Sequence, residues 1–387
     1  LLEGQSFLLK EEANTFAPLA TRRVFGLDLV RALAILLVLV CHCGAVFAAW
    51  YGGSVPLWLS YSGTFGVEIF FVLSGYLVGR ILLALAPTWA DWRRFMIRRW
   101  LRTLPLYYVA LAILFCVWPP SFWQADHARI LLRAIPEYML FLQNFAWTMG
   151  DHNWFGVSWS LTVEEWFYLG FSVAFLAGCA RFGRTNALCV AIPIFLIGPA
   201  IVRGLATPRN AAPHSVVTAV DQICIGVVMA WISLSAPRLF RALGWLLPAG
   251  LMLCTLFWFP PHWIAQPVLQ AVWTDVLAVG IALWLPAAVR WQDASSVIAH
   301  GVRAISLRSY GLYIVHLPVL ELSTYYRDRV HVPVWCQITA TSAVIVILPA
   351  LSWRYLEQPL LRRQKTVGGT VPVPPNPPSI IRTRPNY

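Results

Sequence analysis

Residues 26–44 read GLDLVRALAILLVLVCHCG, an apolar run interrupted at Asp28, Arg31 and His42. Carried on to residue 48, the run is long enough as a helix to cross the roughly 30 Å hydrocarbon core of a bilayer. The rest of the chain keeps to the same pattern. Hydrophobic residues make up 59% of the 387 and charged residues 12%, against about 45–50% and about 25% in soluble domains. Mean hydropathy is +0.65, with 20 Trp and 21 Phe. So little charge cannot coat a soluble globule of this size, which excludes a cytosolic enzyme, a disordered chain and a collagen-like one. The composition specifies an all-α, polytopic transmembrane helical bundle.

Ten spans are predicted, at about 27–48, 64–86, 101–118, 158–179, 187–203, 215–234, 241–259, 266–288, 304–325 and 333–353. Residues 128–148 are apolar but contain Arg133, Pro136, Glu137, Gln143 and Asn144, so they read as a re-entrant or interfacial element. Residues 1–21 form an N-terminal segment without the pattern of a cleavable signal. The membrane domain then covers 22–365, and a Pro-rich tail with VPVPPNPP occupies 366–387, expected to be extended.

The net charge of +12 raises nucleic acid as a partner, but the positions of the charges argue for membrane lipid. With both termini inside and ten crossings, 22 Lys and Arg fall in cytoplasmic segments and 6 outside, with Arg31 within a span. That bias is the positive-inside signature, and counting 128–148 as a crossing would spoil it. The eight Cys lie in or beside apolar stretches and read as small buried hydrophobes. Cys41-His42-Cys43 is not a metal site, because helix neighbours point about 100° apart.

Ionisable groups within spans are costly and are functional candidates by default. Arg31 and His42 are eleven residues apart, about three turns, on a shared face roughly 16 Å apart along the axis. Asp28 is within reach of Arg31 at i−3. The fourth span opens with WSLTVEEWFYL, putting Glu164 and Glu165 at the depth of His42; one of them is expected beside the imidazole. Periodicity does not say which. In SLRSYGLYIVHLPV, Tyr310, Tyr313 and His316 share part of a face before Pro318, serving either a hydrogen-bond network or catalysis. Glu68 and Ser74-Gly75 in the second span suit close packing or substrate contact. Arg99 and Arg102 stand nearly one turn apart at a cytoplasmic helix entrance, where guanidinium forks suit phosphate. Arg31, His42, Glu164/Glu165 and His316 are then nearly the whole set from which a catalytic site can be drawn. Arg354 and Glu357 read as a structural i,i+3 pair.

Taken in order, these segments resemble the acyltransferase-3 family of integral membrane O-acyltransferases. The features are Arg31 with His42, FFVLSGYLV (70–78), Arg99-x-x-Arg102, WSLTVEEWFYL (159–169), SYGLYIVHLP (309–318) and Glu357-Gln358-Pro359. The resemblance implies a catalytic role for His42 and, less directly, for Glu164. It links Arg31, Arg99 and Arg102 to an acyl-CoA donor, acetyl-CoA by family habit, with no bound cofactor or metal. It implies a hydroxyl acceptor on a glycan, lipid or small molecule, and a bacterial cytoplasmic (inner) membrane. Some members carry a further C-terminal soluble domain; none is expected in this sequence.

On this reading acyl-CoA docks its phosphates on Arg31, Arg99 and Arg102, with Asp28, Glu165, Tyr313 and His316 as further substrate-site candidates. His42 then takes the acceptor's proton as general base or carries the acyl group transiently. Two alternatives are a transporter or flippase using the same charges as a proton relay, and an accessory subunit of a larger membrane complex. A transporter of that kind predicts inverted repeats with broken helices, and none is visible.

Overall fold

A computed structural model describes residues 23–117, 135–145, 155–205, 215–255, 267–327, 329 and 332–367. The segment 1–21, the parts of the expected re-entrant element at 128–134 and 146–148, and all of the Pro-rich tail beyond Val367 lie outside them. Among the described residues every regular element is helical. The order is α1 (Phe25–Trp50), α2 (Leu57–Ala84), α3 (Trp89–Val117), α4 (Ser158–Phe182), α5 (Arg184–Leu205), α6 (Val216–Ser235) and α7 (Pro237–Leu243). There follow α8 (Leu247–Thr255), α9 (Pro267–Ala282), α10 (Leu285–Arg290), α11 (Val297–Arg327), α12 (Val334–Ser352), a π turn (Trp353–Glu357) and α13 (Gln358–Val367).

Among the described residues seven helical stretches are long and apolar enough to cross a membrane: α1, α2, α3, α5, α6, α9 with α10, and α12 running on into α13. The chain is an integral membrane protein. Helices α4, with 25 residues, and α11, with 31, are also long enough. They carry the Glu pair and the His316 segment, whose polarity lowers their hydropathy. The span expected at 241–259 is broken: α7 gives way to a tight turn at Gly244–Leu246, and α8 restarts beside Pro248. The span expected at 266–288 is interrupted before Pro286, which opens α10, because proline suits a first turn and not a helix interior. Helix α3 starts at Trp89, twelve residues before the expected 101, so Arg93 through Arg102 belong to a helix. Residues 135–145 form a short helix and a turn, docked by Gln143 on Thr162 (2.7 Å), Asn144 on the Trp159 carbonyl (2.8 Å) and Tyr107 on the Tyr138 carbonyl (2.8 Å).

Helices α2 and α6 are the most enclosed, and α5 and α12 the least. An apolar helix buried on several sides needs no amphipathic stripe. The α2–α6 crossing rests on glycine: a Cβ on Gly75 would run into the Ile223 carbonyl, and one on Gly226 into the Val72 carbonyl. The two backbones touch, as small residues permit. Ile69, Val72, Leu73, Tyr76 and Ala230 close round this contact, and α1 packs on the other side of α2 through Val30 and Ala34. Helix α1 meets α11 through Ile35, Leu312 and Leu320. That contact brings the His42 helix against the His316 helix.

Gly75→Val tests the seam. Overpacking against backbone costs on the order of 1–3 kcal/mol or more, so the variant should show a lower yield of folded protein and a lower thermal midpoint in detergent.

Candidate active site

His42 and His316 meet. His316 Nε2 lies 3.2 Å from His42 Nδ1, with ring centroids 5.1 Å apart. Each ring also has Nδ1 on the carbonyl one turn back in its own helix, Val38 for His42 at 3.1 Å and Leu312 for His316 at 3.0 Å. His316 is fully enclosed, and His42 is partly open. Gly63 of α2 leaves space beside the His42 ring: a Cβ there would stand 3.8 Å from Cε1.

From this pair a row of polar contacts runs along α4. The Tyr313 ring lies 5.8 Å from that of His316, and its hydroxyl shares a 2.6 Å hydrogen bond with Ser160. Ser160, Glu164 and Tyr168 follow at i, i+4 and i+8, so they stack on one face of α4. Tyr168 donates to Glu164 Oε2 at 2.7 Å and also contacts the Ser74 hydroxyl on α2. Arg99 places its guanidinium 3.5 Å from Glu164 Oε2 and 4.1 Å above the Tyr168 ring, a cation–π contact. Four helices, α2, α3, α4 and α11, therefore converge on one polar line.

Glu164 and Glu165 diverge, as helix neighbours must. Glu164 faces Arg99 and Tyr168. Glu165, buried, accepts from Thr103 Oγ1 at 3.0 Å, and its other oxygen has no hydrogen-bond partner among the described residues. Tyr310 ties α11 to the same turn of α3 by donating to the Thr103 carbonyl at 2.6 Å. The expectation of a Glu carboxylate beside His42 gives way here: the ring's partners are His316 and Val38, and Tyr313 with Ser160 stands between the imidazoles and Glu164. The offset runs along the helix: Ser160 is level with Tyr313, and Glu164, on the same face, lies one turn further on at Arg99.

Arg31, Arg99 and Arg102 feel one another's charge and form one cationic cluster. Arg102 is open and makes no ion pair among the described residues, whereas Arg31 and Arg99 are largely covered. Asp28 is held first by Arg23, through contacts of 3.1 and 2.5 Å, and by Ser306 at 2.7 Å; Arg31 reaches it only at 3.9 Å. Glu357 accepts from Ser352 at 2.8 Å and lies within range of Arg102, while Arg354 sits over the Tyr355 ring. The expected Arg354–Glu357 pair is replaced because the π turn displaces the register between them.

The ionisable set is also larger than expected. Arg203 of α5 bridges Asp221 of α6 at 2.6 Å and Asp275 of α9 at 2.7 Å, with the carboxyl of Glu68 in range and buried. These residues stand in apolar runs, so the rule that flagged Arg31 applies equally to Asp221 and Asp275. Ser160 and Tyr168 were legible only as an i, i+4, i+8 row through Glu164. No group of His, Cys, Asp and Glu among the described residues is arranged to hold a metal ion.

The model of the acyltransferase domain family, acyltransferase-3, matches residues 24–354, which contain all of these positions except Arg23, Tyr355 and Glu357. The chain belongs to the acyltransferase-3 family. It is similar to a putative peptidoglycan O-acetyltransferase, YrhL, of Bacillus subtilis, 26% identical over 378 residues, covering 88% of this chain and 55% of the relative. It is also similar to the peptidoglycan O-acetyltransferase OatA of Listeria monocytogenes, 26% identical over 87% of this chain and 55% of the relative. The O-acetyltransferase OatA of Staphylococcus aureus is 24% identical over 87% and 57%. The chain thus spans little more than half the length of these relatives. No solved structure matches.

Asp221 is wholly buried and Arg203 nearly so. Breaking such a pair on one side costs about 3–5 kcal/mol, through the charge left behind. Arg203→Met should lower the thermal midpoint in detergent sharply, and adding Asp221→Asn should recover part of the loss.

Proposed function

We propose that this chain is a membrane O-acyltransferase that moves an acyl group, acetyl by family habit, from cytosolic acyl-CoA to a hydroxyl of a glycan. The observation that carries the reading is the polar face of α4 that leads from Arg99, at Glu164, to Tyr313 and the His pair, at Ser160, with Arg102 open beside its Arg end. Arg102, with Arg31 and Arg99 behind it, offers forked donors to the phosphates of CoA. A pantetheine arm, on the order of 20 Å long when extended, covers the roughly 16 Å that separates Arg31 from His42 along α1. The face of α4 formed by Ser160, Glu164 and Tyr168 lines that route. Glu164 acts here by holding Arg99.

The chemistry balances without a metal or redox partner. His42 takes the proton of the acceptor hydroxyl as its oxygen attacks the thioester carbonyl. The carbon–sulfur bond breaks, and the departing thiolate takes the proton back from the imidazolium. In the two-step variant His42 itself attacks first and carries the acyl group to the acceptor. The relatives named for peptidoglycan O-acetylation support a glycan acceptor. The charge bias of the loops supports ten crossings with both termini in the cytoplasm, in a bacterial inner membrane. The acceptor then arrives from the outer side.

The test is transfer of labelled acetyl from acetyl-CoA to a glycan oligosaccharide by purified protein in proteoliposomes. His42→Ala should abolish transfer in a folded protein. Arg102→Gln should raise KM for acetyl-CoA about tenfold, the loss of one charge-assisted contact, with kcat retained. Full activity of His42→Ala, or movement of a solute without covalent change, would overturn the reading.

A further inference from the structure

We infer that His316 is the positioning residue of His42, fixing the tautomer that leaves His42 Nε2 with its lone pair free. The inference rests on the reading of His42 as the base or acyl carrier and adds the atom that does the work. A carbonyl can only accept, so His316 Nδ1, 3.0 Å from the Leu312 carbonyl, carries the hydrogen. The neutral ring then has a lone pair on Nε2, directed at His42 Nδ1 3.2 Å away. His42 Nδ1 therefore faces two acceptors, that lone pair and the Val38 carbonyl at 3.1 Å. It can satisfy both only as a shared N–H donor. The other tautomer would set three lone pairs against one another in a covered place.

With Nδ1 committed as donor, Nε2 is the basic atom of His42. When it takes the acceptor's proton, the imidazolium keeps both Nδ1 contacts, which strengthen because the donor is now charged. His316 is enclosed, with no exposed surface, so it reaches no substrate; its part is played through His42. Tyr313, one turn away, holds this stretch of α11 to α4 through Ser160. The arrangement has the logic of a base oriented by a second group, with an imidazole in place of the usual carboxylate.

Two substitutions of similar length separate orientation from packing. His316→Gln offers an amide oxygen where Nε2 lay; His316→Met fills the space without a comparable acceptor. With acetyl-CoA and chitotetraose as substrates and the full chain in proteoliposomes, His316→Met should lower kcat about 10- to 100-fold. KM for acetyl-CoA should stay unchanged. His316→Gln should recover most of the loss. Wild-type kcat in His316→Met, or a His316→Gln no better than Met, would overturn the inference. Ring nitrogen-15 spectra in nanodiscs, assigned with the two variants, give a readout that needs no turnover. The wild type should show His42 protonated at Nδ1, and His316→Met should turn that into a tautomer mixture; a wild-type His42 protonated at Nε2 would refute the inference. An active His42→Ala would instead remove the parent reading while leaving the spectral result standing.

Discussion

An ionisable group among apolar helices has no water to turn to, so its partners must come from other helices or from its own backbone. That constraint organises this bundle. Arg203 draws α5, α6 and α9 together through two carboxylates. Arg99 ties α3 to α4, and Tyr168 carries the connection on to α2. Tyr310 and Tyr313 pin α11 to α3 and α4, and the two imidazoles join α11 to α1. Hydrophobic burial cannot by itself orient helices in lipid, since lipid tails are as apolar as the side chains. The polar links supply the missing specificity.

Much of this was legible in the sequence. The apolar runs gave the helices in their right order, and the rarity of charge within them singled out Arg31, His42, the Glu pair and His316. What could not be read was the placement of one helix against another. Ser160 and Glu164 lie on one face of α4, yet it is Ser160 that comes level with Tyr313 and the imidazoles, and Glu164, a turn further on, that meets Arg99. That placement is set by side-chain packing between helices distant in sequence, which periodicity within one helix does not encode. The same reason hid the meeting of His42 and His316, whose residues are 274 positions apart.

Two further departures have local causes. Hydropathy reads least well in α4 and α11, because the residues that build the candidate site are the ones that make a span look polar. The fragmentation between α7 and α10 follows Gly244, Pro248 and Pro286, which length-based reading of an apolar run passes over. Asp221, Asp275 and Arg203 needed no structure to be noticed. They carry the same warning as Arg31, a charge in an apolar run, and with Glu68 of α2 in range they form a second buried network.

The glycine seam between α2 and α6 has a mechanical meaning for the site. Ser74, which meets the Tyr168 hydroxyl, is the residue before Gly75, where the two backbones touch. Backbone in direct contact with backbone has almost no compliance, because no side chain is present to change rotamer and absorb a displacement. The polar row is therefore held at Ser74 beside a joint with little room to shift, so a change that moves α2 against α6 moves the site with it.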